Sequence, residues 1–159
     1  MLIRMLTKMN LIHYGSSKLE ISHFKQISNI RGHGKPRGGL WASPVESAFG
    51  WKQWCEGEDF HTDHLTRHFI FQYEGSILVI DGAKDLKKIV WTRDDYNVWA
   101  PNYEEMVKLY DAIYLTEQGE GETKFFRGKS LYGWDCECVL IMNPKGFINE
   151  GHLLKKDES

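Results

Sequence analysis

Residues 137–142 read Glu-Cys-Val-Leu-Ile-Met and stop at Asn143-Pro144. A run this short, rich in Val, Leu and Ile and cut off by turn residues, is a buried strand rather than a helix. Such a strand needs partners, and the chain offers several. Residues 10–14 form a short extended segment ending at Gly15, where the backbone can turn. Residues 69–71 and 77–80 read as two strands, expected to pair as a hairpin through a turn at residues 74–76. Residues 39–42 and 88–91 add brief strands, and residues 112–116 resume the extended pattern.

Helices are fewer. Ser17 and Glu20 have capping-box spacing, and Ile21, Phe24 and Ile27 recur near one face, so a helix is expected after Gly15. Ser43, Pro44 and Glu46 suit the cap, first and third positions of a second helix, continuing through Ala48, Phe49, Trp51 and Trp54. Trp51 and Trp54 are expected in the core. A third helix is predicted over residues 102–110, with Asn102 as cap and Glu105 three residues later. The loop at residues 31–39 is too rich in Gly and Pro for regular structure, and residues 117–135 read as turn-rich, with Phe125 and Phe126 in a short strand. Many short strands with two or three helices make an α+β chain.

At 159 residues and with no internal repeat or linker, one domain is expected over residues 1–159, frayed at 1–9 and 151–159. A hydrophobic fraction of 42% against 26% charged fits a globular protein. The formal net charge of -2 provides no overall cationic field for a nucleic-acid backbone, leaving room only for a local basic patch. No apolar run approaches the ~20 residues of a membrane-spanning helix, and residues 1–10 lack a secretory signal pattern. The three Cys fit a reducing compartment; Cys136 and Cys138, one residue apart in extended chain, are poorly placed for a local bridge. A monomeric, cytoplasmic protein without membrane contact is expected.

Three groups occupy unusual places: His13 in the first strand, Trp41 before the second helix, and Glu137 at the start of the last apolar strand. The segments His13-Tyr-Gly-Ser16, Gly39-Leu-Trp41-Ala-Ser43 and Asp135-Cys-Glu137-Cys-Val-Leu-Ile resemble the three signature strands of the ADP-ribosyltransferase superfamily. The similarity is to its His-Tyr-Glu branch of diphtheria-type toxins and poly(ADP-ribose) polymerases, with Trp41 at the Tyr position and Tyr14 between the His and the Gly. The resemblance spans most of residues 10–147 and implies two packed, mainly antiparallel sheets around an NAD cleft. It implies transfer of ADP-ribose from NAD, a co-substrate, to a macromolecular acceptor, protein or nucleic acid, with release of nicotinamide and NAD hydrolysis as a side activity.

Carried over by residue, the resemblance makes Glu137 and His13 catalytic, Glu137 on the ribose 2'-hydroxyl and His13 on the nicotinamide-side ribose. Tyr14, Gly15, Ser16, Trp41 and Ser43 would surround the nicotinamide. Arg31, Lys35 and Arg37 in the basic loop are candidates for the pyrophosphate. Tyr132, Trp134 and Asp135 are candidates for the acceptor, Asp135 being expected on the same face of the strand as Glu137. The chemistry suits these types: leaving of nicotinamide develops positive charge on the ribose, which a rigidly mounted carboxylate stabilises. No metal is expected at this site.

Two other readings stand beside this one. The same fold can hold a nucleotide without turnover. Alternatively His61, His64 and His68, near Cys55, can gather on one helical face as ligands of a zinc-dependent hydrolase, although their spacing matches no closed structural site. A compact transferase would suit a toxin, a phage effector working in the host cytoplasm, or a modifying enzyme.

Overall fold

The computed structural model describes residues 5–126 and 128–148. Six strands form one mixed sheet: β1 (Thr7–Tyr14), β2 (Leu40–Pro44), β3 (His68–Gly75), β4 (Ile77–Ile80), β7 (Ala112–Leu115) and β8 (Cys138–Ile141), in the order β3-β1-β2-β8-β7-β4. Two more, β5 (Trp91–Arg93) and β6 (Trp99–Pro101), make a separate antiparallel ribbon. Three α-helices complete the framework: α1 (Trp51–Glu58), α2 (Tyr103–Leu109) and α3 (Glu117–Thr123). The class is α+β, with one curled six-stranded sheet and a small ribbon.

β8 lies between β2 and β7, and all its side chains are buried. Alternation sends Cys138 and Leu140 into one core with Leu78, Ile80, Ile113 and Leu115, while Val139 and Ile141 enter a second core with Leu11, Phe71, Tyr73 and Phe147. An apolar run without polar alternation therefore marks a strand covered on both faces.

The expected hairpin between residues 69–71 and 77–80 does not form. β3 pairs along its whole length with β1, whereas β4 pairs in parallel with β7 at the opposite edge. Only Ser76 separates these two edge strands, so the sheet must curl back on itself. The Asp111 carboxylate accepts the Ser76 amide at 2.9 Å, and Tyr73 donates to the Asn143 carbonyl at 2.6 Å, tying the β3–β4 junction to the start of β7 and the end of β8.

The helix expected after Gly15 is reduced to one 3-10 turn, Ile21–His23. Ile27 packs into the first core while Ile21 and Phe24 pack against the second, so these residues serve opposite faces of the sheet rather than one helical face. The second helix begins later than expected. Ser43 and Pro44 belong to β2, opposite Ile12 and Leu11, and α1 starts at Trp51. Ser43 nevertheless caps α1 from a distance, since its hydroxyl accepts the Trp51 amide at 3.0 Å.

The helix at residues 102–110 is found as α2, with the Asn102 side chain accepting the Glu105 amide. Residues 117–135 are less irregular than expected, because Thr116 caps α3 by accepting the Gly119 amide. Phe125 and Phe126 lie outside any strand. The strand expected at residues 88–91 overlaps β5 only at Trp91, being preceded by a 3-10 segment, Ala83–Lys88. At the N-terminus, Thr7, Lys8 and Met9 are paired strand residues rather than a frayed end. Residues 151–159, the expected C-terminal fray, lie outside the described residues.

Candidate functional site

β1 and β2 pair at only two positions, Leu11 with Pro44 and Ile12 with Ser43. Beyond Ile12 the strands part: β1 stays on β3 as far as Tyr14, and β2 stays on β8. A cavity of about 160 Å3 opens at the fork. Trp41, Trp51 and Trp134 form apolar walls, while His13, Lys35 and Asp135 supply the charged and imidazole groups.

His13 closes the fork by donating from Nδ1 to the Trp41 carbonyl at 2.6 Å. A carbonyl only accepts, so the neutral ring carries its proton on Nδ1 and keeps Nε2 as an acceptor. Burial holds the imidazole below its ordinary pKa; the bond to Trp41 opposes that shift and the charge of His64 adds to it. The Trp41 and Trp134 rings meet edge to face, with centroids 4.7 Å apart. Lys35 lies with its ammonium 5.8 Å from the Trp41 ring centre and 3.7 Å from Asp135 Oδ2.

Ser43 fastens the walls together. Its hydroxyl donates to the Glu137 carbonyl at 2.9 Å while accepting the Trp51 amide, so the start of β8 and the start of α1 share one buried side chain. The Trp51 indole donates to His64 Nε2 at 2.9 Å, fixing the outer wall.

His13, Tyr14, Lys35, Trp41, Ser43, Trp134 and Asp135 therefore line one cavity. Glu137 does not line it. Trp134 and Cys136 share the first core with Cys138, so Glu137 faces the opposite side, as alternation requires; Asp135 lines the cavity beside Cys136, whereas the Glu137 carboxylate accepts from the hydroxyls of Ser47 and Tyr114. Burial, and then the bond to Glu137, raise the pKa of Tyr114, which keeps it a donor.

The other expected residues are dispersed. Gly15 adopts φ +106° and donates its amide to the Arg67 carbonyl, outside the cavity. Ser16 borders a neighbouring hollow of about 300 Å3 that shares His13. Arg31 forks onto the Asp95 carboxylate, Arg37 is exposed with its backbone paired to Ser28, and Tyr132 is 63% exposed. Of the three cations in the basic loop, only Lys35 reaches the cavity.

No protein-family model matches the sequence, and comparison with curated proteins and with solved structures gives no match.

The three histidines do not gather on a helical face. His61 has a left-handed backbone, Thr62–Thr66 is a 3-10 segment, His64 Nε2 accepts the Trp51 indole, and His68 starts β3 opposite Tyr14. Among the described residues no three His, Cys, Asp or Glu side chains are arranged to hold a metal ion.

Trp51 is a cavity residue that its sequence context hides. It packs against the core as an aromatic helix residue should, and only the long-range bond to Ser43 brings it to the fork. Ser47 and Tyr114 are equally silent in the sequence, since each matters only through its bond to Glu137.

Proposed function

We propose that the chain transfers ADP-ribose from NAD to a macromolecular acceptor and releases nicotinamide. The observation that carries this reading is the fork cavity itself: an indole-walled slot in which an imidazole, an ammonium and a carboxylate meet. Flat apolar walls suit a nicotinamide ring, and a few convergent polar groups suit its riboside. His13 Nε2, left as an acceptor, takes a ribose hydroxyl. Lys35 meets the pyrophosphate, where its ammonium also offsets Asp135.

The bond from ribose C1' to the nicotinamide nitrogen breaks, its electron pair leaves with neutral nicotinamide, and the sugar gains positive charge. Asp135, in the cavity wall, is the carboxylate that meets that charge, since Glu137 does not line the cavity. An acceptor nucleophile then bonds to C1' and releases its proton. Ser47 and Tyr114 hold the Glu137 carboxylate in one orientation outside the cavity, while Lys35 holds Asp135 in the wall, a fixed placement that suits electrostatic stabilisation because preorganised groups need not rearrange as the charge forms.

Nicotinamide release from NAD, measured chromatographically with cell extract as acceptor source, tests the proposal. Wild-type protein is expected to release nicotinamide. His13→Ala and Asp135→Asn are expected to slow release by about 100-fold, the scale of losing one preorganised charge-stabilising group, and Glu137→Gln to slow it less. A silent wild type, or rates indifferent to all three substitutions, contradicts it.

A binding-only reading has one observation in its favour, the absence of Glu137 from the cavity lining. It is distinguished by NAD raising Tm without any nicotinamide release.

A further inference from the structure

The β5–β6 ribbon, the segment Ala83–Lys88 and residues Phe126, Gly128 and Lys129 border a second, open groove of about 880 Å3, apart from the fork cavity. Trp91, Trp99 and Phe126 supply its aromatic surface, and Lys84, Lys87 and Lys129 supply its charge. No carboxylate is among the groove-lining residues, although acidic residues outnumber basic ones in the whole chain. Among the described residues none of these three lysines has an acidic partner within ion-pair distance.

Trp91 and Trp99 are half-buried, and Phe126 is open to solvent. Trp91 donates its indole N–H to the Leu86 carbonyl at 3.0 Å, which fixes the ring against the 3-10 segment. Trp99 carries Lys129 Nζ 4.7 Å from its ring centre, with the Arg93 guanidinium 5.7 Å from the same ring. Phe126 is 51% exposed and its neighbour Phe125 is 81% exposed. An exposed Phe126 and two half-buried indoles beside unpaired lysines match a ligand that is both flat and anionic.

We propose that this groove binds single-stranded nucleic acid, with unpaired bases stacking on Trp99 and Phe126 and the backbone phosphates meeting Lys84, Lys87 and Lys129. An acidic peptide satisfies the lysines but leaves the aromatic faces without a stacking partner. A duplex presents phosphates but keeps its bases stacked on one another. Single strands combine both complements, and stacking is tolerant of sequence because every base has a π-face. An exposed cation–π contact is weaker than base–indole stacking, so a base displaces Lys129 from the Trp99 face and frees its ammonium for phosphate.

The groove and the fork cavity are lined by one stretch of chain, through Phe126, Gly128 and Lys129 at the first and Trp134 and Asp135 at the second. A strand held in the groove would accordingly be a candidate acceptor for ADP-ribose. That last step rests on the transferase reading, whereas binding itself does not.

The test is fluorescence anisotropy with labelled 12-nucleotide single strands of DNA and RNA, a duplex of the same sequence, and polyglutamate as competitor, all without NAD. The expected result is preference for single strands over duplex and an affinity that falls as salt rises. Trp99→Ala is expected to weaken binding about tenfold, on the scale of one lost base stack. Phe126→Ala, at an exposed position, is expected to act in the same direction and serves if Trp99→Ala fails to fold. Lys84→Gln with Lys87→Gln is expected to flatten the logarithmic salt dependence by about 1.4, two phosphate contacts at about 0.7 each. No binding at low salt, equal binding of duplex, or binding indifferent to both aromatic substitutions overturns the proposal. Because NAD is absent, these outcomes are independent of nicotinamide release.

Discussion

His13 is buried at a fork between strands, and its backbone acceptor fixes which nitrogen carries the proton. Its lowered pKa has a consequence for stability. The folded state holds the neutral imidazole, so below the ordinary value of 6.5 the unfolded chain takes up a proton that the folded chain resists. The His13 contribution is therefore complete above about pH 6.5 and is lost as pH falls from there through the lower, folded-state value. Urea midpoints measured between pH 7.5 and 5 are expected to fall more steeply for the wild type than for His13→Gln. Parallel profiles would mean that the imidazole is not held neutral by its burial.

At the scale of elements, Gly119 decides how closely α3 approaches β4. A Cβ there would collide with the Ile80 carbonyl oxygen and crowd a Leu115 methyl at 3.2 Å, whereas Gly121 on the same helix has nothing within 4 Å. Gly119→Ala is expected to cost about 2–3 kcal/mol, lowering Tm by roughly 5 °C or more in calorimetry. Gly121→Ala is expected to be neutral or to stabilise by up to ~1 kcal/mol, because Ala is the better helix former. Equal effects would place α3 differently. Elements whose signals are local were legible in the sequence: the Asn102 cap starts α2, and the apolar run at residues 138–141 is β8. Elements set by distant partners were not. Ser43 has every local mark of a cap at the start of its own helix, yet it is spent on the pairing with Ile12 and on a helix eight residues further on. The same limit applies to the site. His13, Trp41 and Asp135 were readable as cavity residues, and alternation correctly sets Glu137 opposite Cys136 and Cys138; what leaves no trace in the sequence is that the cavity opens on the cysteine side.

At the scale of the whole molecule, two faces of one curled sheet carry two cores, and the fork lies where β1 and β2 stop pairing. Opening a sheet between neighbouring strands exposes backbone groups that must find other partners. Here the His13 ring replaces a ladder bond, and indole surface replaces strand-to-strand packing. Among the described residues no helix is long and apolar enough to cross a membrane. The nicotinamide end of NAD belongs in the fork if the transferase reading holds. Saturation-transfer difference NMR on NAD with the intact protein measures this directly, because each ligand proton reports its closeness to the protein. The expected result is strongest saturation on the nicotinamide ring protons, reduced by Trp41→Ala; saturation centred on the adenine protons, or none on NAD at all, would contradict it.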